Sequence, residues 1–257
     1  MIHFVGAGPG APDLITRRGA ALLQNADCII YAGSLVNPAL LGLAKEGCAI
    51  YNSAEMTLEQ VLDVMRQMEA ASKTTVRLHT GDPCLYGAIR EQMDVLDAEG
   101  IAYDDTPGVS SFCGAAAALN AEYTLPTVSQ TVIITRMEGR TPVPERESLA
   151  ALAAHGSSMA VYLSAREAGT LQAELLRHLP PETAVLCAHL VGWPEEELHW
   201  TRLADLAHCV ARHNLTRQTV FLILPGECRK GTASRLYAAD FAHACRAARN
   251  GAEKDQD

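Results

Sequence analysis

Apolar positions in the first half of the chain fall into short runs separated by stretches with helical spacing. Ile2 to Val5, Cys28 to Tyr31, Ala49 to Asn52, Thr74 to Thr80 and Ala102 to Asp105 read as strands. Leu14 to Gln24, Pro38 to Ala44, Leu58 to Ala71 and Tyr86 to Glu99 read as helices. In the third of these, Leu58, Val61, Leu62, Met65 and Met68 recur at the spacing that lines one helix face. Gly100 stops the fourth, because glycine takes the left-handed backbone that ends a helix. An Ala-rich helix, Ser111 to Asn120, closes the series. Such alternation predicts a parallel sheet with helices on its faces.

The pattern lapses from Glu122 to Gln130, where Pro126 interrupts and neither period holds. The junction between two α/β domains is expected there, at residues 1–121 and 122–250, with a charged, frayed tail at 251–257. The second half predicts strands at Val132 to Thr135, Ala160 to Leu163, Ala184 to His189, His199 to Arg202 and Thr219 to Leu224. Helices are expected at Glu147 to His155, Glu167 to His178 and Leu203 to Arg212. The turn Gly192-Trp193-Pro194 is short enough for an antiparallel pair, so this second sheet should be mixed.

Composition narrows the classes. A formal charge of −9 opposes nucleic-acid binding, which needs an excess of Lys and Arg along one face. It leaves room for an anionic small substrate held by a local Arg cluster. No apolar run is long enough to span a bilayer, and strand-like sequence starts at Ile2 without a basic leader. Eight cysteines are spread singly with no C-x-x-C spacing, and several, such as Cys28, sit in apolar runs. They read as small buried hydrophobes in a reducing compartment, so a cytoplasmic protein is expected. His208 and His213 are five apart, off the one-face spacing of a helix, and no protein-bound metal is expected.

Candidate chemistry gathers at three turns. Gly6-Ala7-Gly8-Pro9-Gly10 follows the first strand. It is either a tight turn or a loop that lets a ligand approach the backbone. A dinucleotide-binding oxidoreductase would use this place, but the spacing is not G-x-G-x-x-G. The second strand also ends Tyr31-Ala32-Gly33-Ser34, without an acid for a ribose hydroxyl. His79-Thr80-Gly81-Asp82-Pro83 follows the fourth strand, where Asp82 could cap a helix begun by Pro83. Pro107-Gly108-Val109-Ser110-Ser111-Phe112 follows the fifth, with Ser110 or Ser111 placed to cap the Ala-rich helix. Capping and ligand contact are compatible, since a helix N-terminus carries free N–H groups.

Together these turns resemble the S-adenosylmethionine-binding segments of the tetrapyrrole methylases, which share G-x-G-P-G, G-D-P and P-G-[small]-S turns in this order. Further segments are similar to those marking the precorrin-4 C(11)-methyltransferase branch: Tyr31 to Pro38, Thr124 to Thr131, Thr135 to Pro142 and Ser234 to Tyr237. The resemblance runs from Ile2 to about Arg246. It implies two α/β domains with S-adenosyl-L-methionine in the cleft between them, a corrin-precursor substrate and a homodimer. Carried over by position, Pro9, Gly81, Asp82, Leu85, Ser110 and Ser111 would line the cofactor site from the first domain. Tyr162, Leu163, Ala188, His189, Leu190, Thr219 and Val220 would line it from the second. Arg136 and Arg140, in the Thr-Arg…Gly-Arg-Thr-Pro segment, are candidates to hold substrate carboxylates; Arg90, Arg166 and Arg235 are weaker ones. Two departures stand out. Ala11 replaces a common Asp, and Ala32 replaces the Asp of the uroporphyrinogen methylases.

Overall fold

The computed structural model describes residues 1–139, 141–226, 238, 241, 242, 244 and 246. The first sheet contains β1 (Ile2–Gly6), β2 (Cys28–Tyr31), β3 (Ala49–Asn52), β4 (Thr75–His79) and β5 (Tyr103–Thr106). Its order is β3-β2-β4-β1-β5, and every pair is parallel. α1 (Arg17–Asn25), α2 (Leu58–Ala70), α3 (Arg90–Glu99) and α4 (Ser111–Leu119) follow the strands. The second sheet contains β6 (Val132–Arg136), β7 (Ser158–Tyr162), β8 (Ala184–His189), β9 (Glu197–Arg202) and β10 (Thr219–Leu224), in the order β6-β7-β10-β8-β9. Only β6 and β7 run parallel there, so the sheet is mixed as expected. α5 (Leu149–Ala153), α6 (Ala168–Leu175) and α7 (Leu206–Arg212) cover one of its faces.

Both faces of the first sheet bury apolar side chains, as a parallel sheet between helices requires, and one of them also buries Arg77 and His79 of β4. On one face Phe4 and Ile30 pack with Leu62 and Met65 of α2 and Leu96 of α3. On the other, Val5, Ile29 and Leu78 pack with Leu23 of α1. Each such fully buried side chain contributes about 1.5–3 kcal/mol. α2 begins with a capping box: Thr57 Oγ1 accepts the Gln60 N–H, and Gln60 Oε1 accepts the Thr57 N–H at 2.8 Å.

α4 joins the halves. Its Ala115 and Leu119 pack on the free face of the second sheet, against Ala188, Val220 and Leu222. Small side chains let that helix come close, which explains its alanine content.

Many element bounds differ from the sequence reading: in the second half β7 starts at Ser158 and β9 at Glu197, α5 and α6 are shorter at both ends, and α7 starts at Leu206 after a 3-10 turn. α1 starts at Arg17, where Thr16 Oγ1 accepts the Gly19 N–H, and Pro12–Leu14 forms a separate 3-10 turn. α3 starts at Arg90, not Tyr86, because Tyr86 and Ala88 have φ of 58° and 49° and break the helical path. Pro38–Leu43 is 3-10 rather than α-helical. Of the cysteines, Cys28, Cys187 and Cys209 are buried as anticipated, but Cys84 and Cys113 are exposed. Among the described residues no helix is long and apolar enough to cross a membrane. Ser234 to Tyr237, Arg235 and the tail lie outside the described residues.

Candidate cofactor and substrate cleft

The strand order puts β1 between β4 and β5, so the turns leaving these three strands lie side by side. They are tied together by the chain itself. The Gly8 N–H donates to the Gly81 carbonyl at 3.2 Å, and the Gly81 N–H returns to the Gly8 carbonyl at 2.8 Å. Asp82 joins the third turn: its Oδ2 accepts the Gly108 N–H at 3.1 Å, while Oδ1 accepts the Cys84 N–H. Asp82 therefore caps no helix. It closes its own turn and pins the β5 turn beside it.

Two of the glycines answer to this packing. A Cβ on Gly6 would sit 2.5 Å from Gly108 Cα, and one on Gly108 would sit 2.0 Å from the Gly81 carbonyl oxygen. The close backbone approach anticipated for a ligand is made at these positions by protein backbone. Gly10 faces the other half: its Cβ would lie 2.4 Å from Trp193 Cδ1.

Beneath the rim, β4 carries two buried basic side chains. Arg77 donates to Gln92 Oε1 and to the Ile30 carbonyl, and burial lowers its pKa to about 10. His79 is 4% exposed and stacks on Phe4. Burial, with the Arg77 charge beside it, lowers its pKa to about 3. Its Nε2 has no hydrogen-bond partner among the described residues, so this imidazole is a neutral packing group.

A cavity of about 500 Å³ lies between this rim and the second sheet, within the range of about 300–1,000 Å³ usual for small-molecule sites. Pro9 and Ser111 line it from the first half. Tyr162, Leu163, Leu190, Thr219 and Val220 line it from the second. Leu163 and Leu190 follow β7 and β8 directly, with φ of 57° and 51°. Non-glycine residues hold such angles at a cost of about 1–3 kcal/mol each, and such strain clusters at ligand sites. Leu163 is also 70% exposed, an apolar side chain left at the lip.

The other sequence candidates sit around the cavity rather than in its lining. Gly81, Asp82 and Leu85 shape the β4 turn, where the Leu85 N–H donates to the Asp82 carbonyl. Ser110 is buried behind Ser111, its hydroxyl 2.9 Å from that of Tyr162. Neither serine side chain caps α4. Tyr162 supplies that bond, its hydroxyl accepting the Phe112 N–H at 3.0 Å. Ala188 is fully buried in the core below, and His189 Nδ1 is bonded to Thr219 Oγ1 at 2.9 Å.

Arg136 reaches the cavity and also braces its wall. Its Nη1 donates to the Met137 and Thr141 carbonyls, and Nη2 to the Pro142 carbonyl. Arg166 lines the cavity, whereas Arg90 is engaged elsewhere with Asp94 and Asp97. Arg140 lies outside the described residues. Sequence reasoning missed Thr80, Val191, Trp193 and Arg217, all in the lining. Arg217, just before β10, adds an exposed cation to the wall formed by Arg136 and Arg166. Trp193 separates the cavity from an open hollow of about 550 Å³ edged by Ala11 and Asn37.

This two-sheet frame with a cleft over three adjoining turns is that of a methylase, and residues 1–207 match the family of tetrapyrrole (corrin/porphyrin) methylases. The chain belongs to that family. It is 46% identical over 246 residues to a cobalt-precorrin-4 C(11)-methyltransferase of Methanocaldococcus jannaschii, covering 94% of each chain. It is 41% identical to a precorrin-4 C(11)-methyltransferase of Pseudomonas aeruginosa, covering 94% of this chain and 97% of the relative. The X-ray structure of a cobalt precorrin-4 methyltransferase superposes with a TM-score of 0.84 at 41% identity, covering 86% of this chain and 93% of that one.

Proposed function

We propose that this chain transfers the methyl group of S-adenosyl-L-methionine to C-11 of precorrin-4 or cobalt-precorrin-4, a step in cobalamin (vitamin B12) biosynthesis. The observation that carries this reading is the cavity lined from both halves, with Pro9 and Ser111 facing Tyr162, Leu163, Leu190, Thr219 and Val220. Its volume fits one nucleoside-sized ligand, and its walls join apolar surface to a few hydroxyls and backbone groups. The relatives that carry the C(11) name match nearly the whole chain.

The cofactor supplies an activated methyl group on a sulfonium. The protein's task is to hold that group in line with an electron-rich ring carbon and to exclude water. Such positioning accounts for about 7–11 kcal/mol of barrier lowering. In this reading Tyr162 and Ser111 fix the lip between the halves, and the strained turns at Leu163 and Leu190 present backbone to the cofactor. Gly81, Asp82, Leu85 and Ser110 hold the rim; Ala188 and His189 support the strands beneath. Arg136, with Arg140, takes substrate carboxylates, since a guanidinium fork pairs with them at two points. The transfer itself calls for no protein nucleophile and no protein-bound metal. A homodimeric, cytoplasmic enzyme belongs to the same reading, and sedimentation equilibrium checks the dimer.

The test is product identification from metal-free and cobalt-containing precorrin-4. Methylation at C-11 is expected with at least one of them; methylation at another carbon overturns the assignment. Calorimetry with S-adenosylhomocysteine and with NADH separates the class, because binding of NADH alone would point to an oxidoreductase.

A further inference from the structure

Outside the cleft, the edge strand β9 carries Glu197 and His199 two residues apart, so both side chains leave the same face. Leu198, between them, packs on the cleft side of the sheet. The face that Glu197 and His199 share is the one covered by α7, where Cys209 and Val210 pack with Cys187 of β8. α7 ends at Arg212, and the residue capping it is His213. The His213 ring stacks on that of His199, with centroids 3.6 Å apart and planes 24° from parallel. His199 Nε2 lies 2.7 Å from Glu197 Oε2. One ligand-type atom from each residue falls within 4.8 Å of the other two.

We propose that Glu197, His199 and His213 form a binding site for a divalent transition-metal ion of the zinc type. Two imidazoles and one carboxylate are a donor set that zinc accepts, with water completing a tetrahedron. Zinc ligands lie about 2.0–2.2 Å from the ion. An ion lies in the plane of each imidazole that binds it, so reaching such a sphere requires one of the two stacked rings to turn out of the stack, together with rotation of the exposed Glu197 side chain. The partly exposed setting gives the ion a path in. His189, opposite Glu197 in the ladder, stays outside the set because its Nδ1 is bonded to Thr219. The bound ion fastens the edge strand to the end of α7, on the face of the sheet away from the cleft. It thus acts on the stability of the second half and leaves methyl transfer untouched. The site runs against the expectation of no protein-bound metal, which rested on the spacing of the cysteines and of His208 and His213 along the sequence.

The test is calorimetric titration of the chelator-stripped full chain with zinc ions, paired with thermal unfolding. One ion per chain and a raised Tm are expected. The variant carrying H199A and H213A should lose both, with S-adenosylhomocysteine affinity unchanged. Should that variant fold poorly, Glu197→Gln serves alone, with weakened zinc binding expected. Cobalt substitution should give visible bands without thiolate charge transfer. Unaltered zinc affinity in these variants, a thiolate signal from the free cysteines, or no binding by the parent chain would each overturn the site.

Discussion

The hydroxyl of Tyr162 accepts the backbone N–H of Phe112 across 3.0 Å, so a side chain at the end of β7 caps a helix that begins after β5. The same oxygen takes the Ser111 hydroxyl at 3.2 Å and meets Ser110 Oγ at 2.9 Å. One phenol thereby satisfies three groups at the seam between the sheets. Tyr162→Phe strands the Phe112 N–H, which is only partly buried, and should cost about 1 kcal/mol, the low end for an unsatisfied donor. Urea unfolding measures that loss, and calorimetry should show weaker S-adenosylhomocysteine binding. Full stability with full affinity would remove Tyr162 from the role given to it.

Gly108 is crowded by backbone rather than by a movable side chain. A methyl group there meets the Gly81 carbonyl oxygen at 2.0 Å, and neither strand end can retreat without breaking the rim. Gly108→Ala should therefore destabilise the fold by more than the roughly 1–3 kcal/mol typical of an overpacked core. Gly42→Ala is the control, since nothing lies within 4 Å of its Cβ position. Equal unfolding midpoints for the two variants would contradict the packing argument.

His79 makes stability depend on pH in a defined window. Folded, the imidazole stays neutral down to about pH 3; its ordinary value is 6.5. Between these values the unfolded chain binds one proton more than the folded chain. Its contribution is therefore intact above pH 6.5 and declines as pH falls, at about 1.4 kcal/mol per pH unit, until about pH 3. Urea midpoints at pH 7 and 5 should differ more in the parent chain than in His79→Gln. Identical pH slopes would show that His79 titrates normally.

Arg136 spans three carbonyls of the 137–142 loop while keeping its charge at the cavity wall. Arg136→Ala should raise the KM for the macrocycle about tenfold or more, the loss of one charged hydrogen bond, with little change in cofactor affinity. Arg136→Lys should rescue poorly, because one ammonium cannot reproduce the fork. A fall in cofactor affinity at constant KM would refute the assignment.

Strands and their order of appearance were readable because apolar runs such as Cys28 to Tyr31 are short and bounded by turns. The three-turn rim was readable for the same reason: each turn directly follows a strand. The start of α3 was not, since Tyr86 and Ala88 are residues a helix accepts and nothing in their side chains announces the left-handed backbone they adopt. Nor were the reasons for Gly6 and Gly108, which lie about a hundred positions apart and meet only in the sheet. His199 and His213 belong to a strand and a helix cap, so no sequence period links them. Trp193 read as turn punctuation, and only the packing of Gly10 against it shows that the turn reaches the cleft.

β10 is the last strand described, yet it lies in the middle of its sheet, with β7 on one side and β8 on the other. Until residues 219–224 have been synthesised, β7 and β8 have no shared ladder, and the wall carrying Leu163 and Leu190 cannot close. Contacts so distant along the chain form slowly, because a long loop must close before they are rewarded. A ribosome-bound chain released short of β10 would thus expose two unpaired strand edges and bind no cofactor, which makes late synthesis the interval in which this protein is most open to misassembly.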